Sequence, residues 1–144
     1  MQHAFMAKFL IPYYLEREGK TPGGHILITA SAAGLLTQIG SPTYAVTKRS
    51  AVAMAEWLSI TYGSRGVGVS CLCPQAVDTA MTRSVGGPGV AGVNGMISAE
   101  TCALDTLKAQ RAGKFLVLPH KEVETYIKRK ADDYDRWLNG MRRL

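Results

Sequence analysis

The chain has 144 residues, the size of one domain and enough for a hydrophobic core. Hydrophobic residues make up 47% and charged residues 19%; no apolar run is long enough to span a bilayer, so the pattern is that of a soluble globular protein and not a membrane-spanning one. The formal net charge of +6 is uneven, with ten basic against five acidic side chains from Lys108 onward.

In chain order, the start MQHAFMAKFLIPYYL superficially resembles a leader. Lys8 interrupts its apolar run, no small-residue cleavage site follows, and Phe5, Phe9 and Tyr13 recur at helical spacing. The spacing predicts an amphipathic helix over 2–18 of a cytoplasmic protein. Pro22-Gly23-Gly24 is a turn signal, and HILITA (25–30) is a short, apolar, β-branched run that reads as a buried strand. Ser41 and Pro42 open a helix over 42–63, serine as N-cap and proline at the first helical position. A second strand is expected over 67–72.

Residues 74–97 read as a loop. Within it, Gly87-Pro88-Gly89-Val90-Ala91-Gly92 formally satisfies Gly-x-Gly-x-x-Gly. That motif has meaning only between a strand and a helix, and neither flank qualifies. Ser98 caps a helix over 99–112, Gly113 closes it, and a short strand over 114–118 ends at Pro119. The last segment, 122–142, spaces Val123, Ile127, Tyr134, Trp137 and Met141 at helical intervals. Alternating strands and helices with short turns imply an α/β fold with a parallel sheet. Residues 1–144 are taken as a single domain, a core to about residue 120 followed by a C-terminal helix, 121–144.

The residues that carry chemistry are Ser31, Tyr44 and Lys48, spaced Ser-x12-Tyr-x3-Lys. The serine ends the first strand, while Tyr44 and Lys48, four apart, share one helix face. A hydroxyl, a phenol and an ammonium would meet in one crevice. A free phenol titrates near pH 10, and an ammonium one turn away favours its anion. The trio reads as a proton-transfer site.

Other patterns are structural. Cys71 and Cys73 alternate around Leu72, Cys102 is distant, and this is no zinc spacing; they read as small buried hydrophobes, and no metal site is expected. His3, His25 and His120 are scattered. Lys128-Arg129-Lys130 and Arg142-Arg143 are basic clusters, but Asp132, Asp133 and Asp135 interleave. A docked surface helix explains them without a nucleic-acid partner.

The segment ITASAAGLLTQIGSPTYAVTKRSAVAMAEWLS (28–59) closely resembles the short-chain dehydrogenase/reductase family. The match includes Ala32-Ala33-Gly34 after the serine and the Ser-Ala pair after the lysine. VGVSCLCPQAVDT (67–79) resembles the family's next strand and its Pro-Gly-x-Val-x-Thr turn, with Gln75 in the glycine's place. The likeness runs from about residue 1 to about residue 120. It implies a partial Rossmann-like, doubly wound parallel sheet, the last three strands of seven. The Gly-rich dinucleotide turn of the family has no counterpart before HILITA, so the chain is expected to be a C-terminal half.

The resemblance further implies NAD(P)-dependent hydride transfer between an alcohol and a carbonyl of a small molecule. Tyr44 would be the acid/base, Lys48 would bind the nicotinamide ribose, and Ser31 would hold the substrate oxygen. Pro74, Val77 and Thr79 would join Tyr44 and Lys48 in binding NAD or NADP, Val77 and Thr79 at the carboxamide. Residues 80–97 would stand where the family has its substrate lid. Helices 2–18 and 42–63 would build a homo-oligomer. Two functions remain: such an oxidoreductase, inactive as this chain alone, or a non-catalytic remnant serving as an assembly partner. A strand central in the whole sheet, 25–30, would here be an edge that needs cover.

Overall fold

The computed structural model describes residues 2–17 and 23–144. Three parallel strands form the sheet: β1 (Gly24–Thr29), β2 (Val67–Leu72) and β5 (Leu116–Val117), in the order β1-β2-β5. The register runs from Gly24 opposite Val67 to Thr29 opposite Leu72, and Cys71 and Leu72 pair with Leu116 and Val117. Parallel strands need crossovers, supplied here by α3 (Pro42–Tyr62) between β1 and β2 and by α5 (Ala99–Arg111) before β5.

Alternation along β2 sorts the core onto two faces. Val67, Val69 and Cys71 face one way and pack with Ile26 and Ile28 of β1, Ala51, Val52, Ala55 and Leu58 of α3, and Ala7 and Ile11 of α1 (Gln2–Leu15). Each large member so buried contributes about 1.5–3 kcal/mol. Leu72 faces the other way and packs with Cys102 of α5 and Val117. Helices therefore lie on both faces, the doubly wound arrangement. A polar tie also crosses the sheet: His25 Nε2 donates to Ser70 Oγ (3.0 Å), and that hydroxyl donates to the Lys114 carbonyl (2.8 Å).

Several expectations change. The strand at 25–30 is not buried on both faces: Ile26 and Ile28 are buried, whereas His25, Leu27 and Thr29 are exposed. β1 is indeed an edge of the described sheet. The first helix ends at Leu15, and Glu18 and Pro22 lie outside the described residues. Its Phe5, Phe9 and Tyr13 stripe is exposed, and Ala7 and Ile11 are what it buries. The helix is apolar on more than one side, so periodicity does not choose the buried face.

Residues 74–97 are not plain loop. They contain β3 (Val77–Asp78), α4 (Ala80–Ser84), a 3-10 turn at Gly89–Gly92 and the start of β4 (Ile97–Ser98), which pairs in parallel with β3. The Gly-x-Gly-x-x-Gly segment thus enters a 3-10 turn and opens no helix behind a strand. The third sheet strand is shorter than 114–118, and a short α2 (Ala33–Leu36) follows Ser31.

The C-terminal segment breaks into α6 (Glu122–Asp132) and α7 (Tyr134–Met141). Asp133 leaves helical geometry and its carboxylate accepts the Arg136 N–H (2.9 Å), making it the N-cap of α7. Lys130 is buried: it donates to the Leu35 carbonyl (2.7 Å), with its ammonium 4.6 Å from the Trp137 ring centroid and 5.2 Å from that of Tyr134. This docks α6 on α2.

Candidate active site

Ser31 stands just past the C-terminal end of β1, where Ala30 N–H still donates to the Leu72 carbonyl (2.8 Å). Its hydroxyl oxygen accepts the Ala33 N–H (3.1 Å) and donates to the Pro74 carbonyl across a long 3.5 Å. A donor held so weakly can turn toward another oxygen. The Pro74 carbonyl also accepts the Ala32 N–H (2.8 Å), which fixes the turn after β2 against the turn after β1.

Tyr44 and Lys48 lie in the first turns of α3. Ser41 occupies the N-cap position and Pro42 the first turn, as read from sequence, but the Ser41 side chain makes no capping bond. Lys48 Nζ donates to the Thr29 carbonyl (3.2 Å) and stands 5.6 Å from the Tyr44 ring centroid. The close approach of α2 to α3 depends on Gly34: a Cβ there would lie 2.6 Å from the Lys48 carbonyl oxygen. The serine turn and the lysine turn are thus packed backbone against backbone.

Ser31, Tyr44 and Lys48 line one cavity of about 830 Å³, together with Pro74, Val77 and Thr79. The six residues singled out in the sequence therefore share one wall system. Its remaining lining is largely apolar, including Leu27, Leu72, Met81, Val85 and Leu107. Thr79 is not a free hydroxyl, since its oxygen accepts the Thr82 N–H (3.3 Å) as the cap of α4. The Val77 carbonyl accepts the Thr82 hydroxyl (2.7 Å). Both groups hold α4 beside the cavity.

Gln75, in the position where a glycine was expected, does not adopt left-handed backbone. Among the described non-glycine residues only Thr37 has positive φ, at 86°. Glutamine is therefore unstrained here, and its side chain is used: Asn94 Nδ2 donates to Gln75 Oε1 (3.2 Å), and Tyr126 donates to Asn94 Oδ1 (3.1 Å). The Gln75 N–H donates to His120 Nδ1 (3.2 Å). Sequence reasoning assigned no role to Asn94, Tyr126 or His120, because their partners lie 19 to 45 positions away.

Electrostatics distinguish the thiols and imidazoles. Cys71 and Cys73 are fully buried with sulfurs 3.7 Å apart. A hydrogen bond between them pushes the Cys71 thiol up, with burial adding to it, and holds Cys73 down, helped by the Ser31 N–H. Burial lowers His3, and the charge of Lys48 lowers it further; His25 is exposed as a residue, but partial desolvation of its ring against the sheet lowers it. Among the described residues no three His, Cys, Asp or Glu side chains gather as a metal site, and no helix is long and apolar enough to cross a membrane.

Comparison with known proteins agrees with this fold. The family model described as short chain dehydrogenase matches residues 3–87. A 1-deoxy-11-beta-hydroxypentalenate dehydrogenase of Streptomyces exfoliatus is 31% identical over 131 residues, covering 91% of this chain and 46% of that protein. Among solved structures, a short chain dehydrogenase/reductase from Burkholderia phymatum in complex with NAD superposes with a TM-score of 0.75 at 23% identity, over 92% of this chain and 54% of that one. A short-chain dehydrogenase from Sphingobium yanoikuyae in complex with NADPH gives 0.71 at 17% identity, over 98% and 50%. The chain spans about half the length of the relatives it matches.

Proposed function

The chain belongs to the short-chain dehydrogenase family, and from that premise we propose that it carries the proton-transfer half of an NAD- or NADP-dependent oxidoreductase acting on an apolar alcohol or the matching carbonyl. The observation that supports this most is the single cavity shared by Ser31, Tyr44 and Lys48. Its polar groups suit a nicotinamide riboside: an ammonium fixed on the Thr29 carbonyl and a phenol beside it can engage sugar hydroxyls, and the apolar wall accepts an uncharged ring. The cofactor, when bound, supplies the hydride acceptor or donor.

Everything else falls to the chain's own side chains. Ser31 turns its hydroxyl from the distant Pro74 carbonyl to the substrate oxygen. Tyr44 takes the proton from that oxygen in oxidation and returns it in reduction. Lys48 stabilises negative charge as it develops on the phenol. The apolar lining favours a substrate that is largely hydrocarbon, in keeping with relatives named as dehydrogenases of 1-deoxy-11-beta-hydroxypentalenate. The three cysteines are unpaired and buried, which suits a reducing compartment such as the cytoplasm.

A second reading, a non-catalytic assembly partner, is favoured by a different observation. Phe5 and Phe9 of α1 and Trp57 and Ile60 of α3 are exposed, and β1 is an open edge among the described strands. Such surfaces suit association with a second copy. Titration of the chain with NADH and with NADPH by calorimetry separates the two. Saturable binding that weakens in Lys48→Ala supports the oxidoreductase, whereas no binding at millimolar cofactor leaves the assembly reading.

A further inference from the structure

We propose that His120 is a positioning residue for Ser31, acting through the peptide that joins Pro74 to Gln75. The two ends of that peptide meet different partners. Its carbonyl, on Pro74, accepts the Ala32 N–H (2.8 Å) and the Ser31 hydroxyl (3.5 Å). Its N–H, on Gln75, donates to His120 Nδ1 (3.2 Å). A peptide unit is planar, with its N–H and C=O pointing in opposite directions, so a partner that holds one end sets the direction of the other.

His120 is suited to hold it. The residue follows β5 at the foot of α6, where its own carbonyl accepts the Val123 N–H (3.2 Å), and it is only 4% exposed. For Nδ1 to accept, the ring proton must sit on Nε2. Nε2 is buried and has no partner among the described residues. An imidazole with one nitrogen unpaired carries a desolvation cost that leucine or phenylalanine would avoid in the same space. What the imidazole adds over either is the acceptor at Nδ1. The side chain of Gln75 is anchored separately by Asn94, so His120 acts on the backbone of this turn and not on the segment that follows it.

The chain of contacts is therefore His120, the Pro74–Gln75 peptide, Ser31. Its consequence for turnover rests on the reading of Ser31 as the group that holds the substrate oxygen. Without the acceptor, the peptide can rotate; the Ala32 N–H loses the carbonyl that fixes the turn carrying Ser31, and the weakly held Ser31 hydroxyl loses its resting partner. A misplacement of this kind can cost up to about 100-fold in rate without loss of cofactor affinity.

The test compares His120→Leu, which keeps bulk and removes the acceptor, with His120→Asn, whose amide oxygen can stand near the Nδ1 position. Nitrogen-15 and carbon-13 NMR of the full chain is the first readout. The expectation is a His120 ring protonated at Nε2 only, a Gln75 amide that exchanges about tenfold faster in His120→Leu, a shifted Ser31 Cβ resonance there, and recovery of both in His120→Asn. Turnover with NAD(P) and an apolar secondary alcohol is the second, with kcat down about 10- to 100-fold in His120→Leu, KM little changed, and recovery in His120→Asn. Unchanged Gln75 exchange and Ser31 resonance in a folded His120→Leu protein would overturn the proposal, as would His120→Asn failing to recover them. If the wild-type chain turns nothing over, the oxidoreductase reading of this chain fails, and the NMR result alone still decides whether His120 positions Ser31.

Discussion

Lys48 Nζ donates to the carbonyl of Thr29 at 3.2 Å, joining a helix side chain to the strand that delivers Ser31 two residues later. The ammonium is therefore held by a backbone group, and its charge has a defined place beside the Tyr44 ring. An unanchored lysine at this helix position would sample solvent, where its field is screened.

Replacement of the two residues on α3 should separate their roles. Tyr44→Phe should lower kcat by about 10²–10⁴-fold, the range for loss of a general acid/base, while nicotinamide binding by calorimetry weakens less than in Lys48→Ala, only the phenol's sugar contact being lost. Lys48→Ala should weaken binding as well as turnover. Equal loss of binding in both variants would sink this division of labour.

Gly34→Ala should destabilise the fold and disturb Lys48. The new Cβ would lie 2.6 Å from the Lys48 carbonyl oxygen and 2.9 Å from both its carbon and Val52 Cγ2. Backbone cannot swing aside as a side chain can, so the expected cost is about 1–3 kcal/mol. Urea denaturation reads it, and an unchanged midpoint would mean that α2 can move off α3 freely.

Thr37 should be improvable. Its φ of 86° and ψ of 162° belong to a region used almost only by glycine. Such a conformation costs about 1–3 kcal/mol, and glycine's greater unfolded-state freedom gives back about 0.5–1 kcal/mol. Thr37→Gly is expected to raise the urea midpoint; a lower midpoint would show that threonine contacts outweigh the strain.

Phe9 is 72% exposed and Ile60 82% exposed, on α1 and α3 respectively. The chain should sediment as a dimer or larger at micromolar concentration, and Phe9→Glu with Ile60→Glu should shift it toward monomer with better solubility. A monomer at every concentration in the parent chain would rule out this interface.

Partial desolvation of its ring lowers His25 below its ordinary value of 6.5, although the residue as a whole is exposed. In acid the unfolded chain then binds a proton that the folded chain resists. The stability associated with neutral His25 is fully present above 6.5, falls as pH drops through 6.5, and is lost once pH passes the lowered folded value. His3, lowered by burial and then by Lys48, acts in the same direction. Urea midpoints between about pH 5 and 8 should fall on acidification, less steeply in His25→Asn. Parallel slopes for the two proteins would discount His25.

The spacing that brings Ser31, Tyr44 and Lys48 to one cavity, the helix opening at Pro42, the strand at 67–72 and the parallel α/β class were all legible in the residues. These depend on short-range rules: four residues span one helical turn, and a strand's end presents the next side chain. Tertiary structure alone decided which side of α1 is buried. That helix is apolar on more than one side, and only contact with β2 and α3 selects Ala7 and Ile11 over Phe5 and Phe9. It also decided that the C-terminal helix breaks at Asp133, because the break lets Tyr134 and Trp137 cover the ammonium of Lys130. The links from Tyr126 through Asn94 to Gln75, and from Gln75 to His120, left no trace in local pattern. A hydrogen bond between residues 45 apart obeys no periodicity, and it exists only because packing β5 beside β2 brings the turns at Pro74 and His120 together.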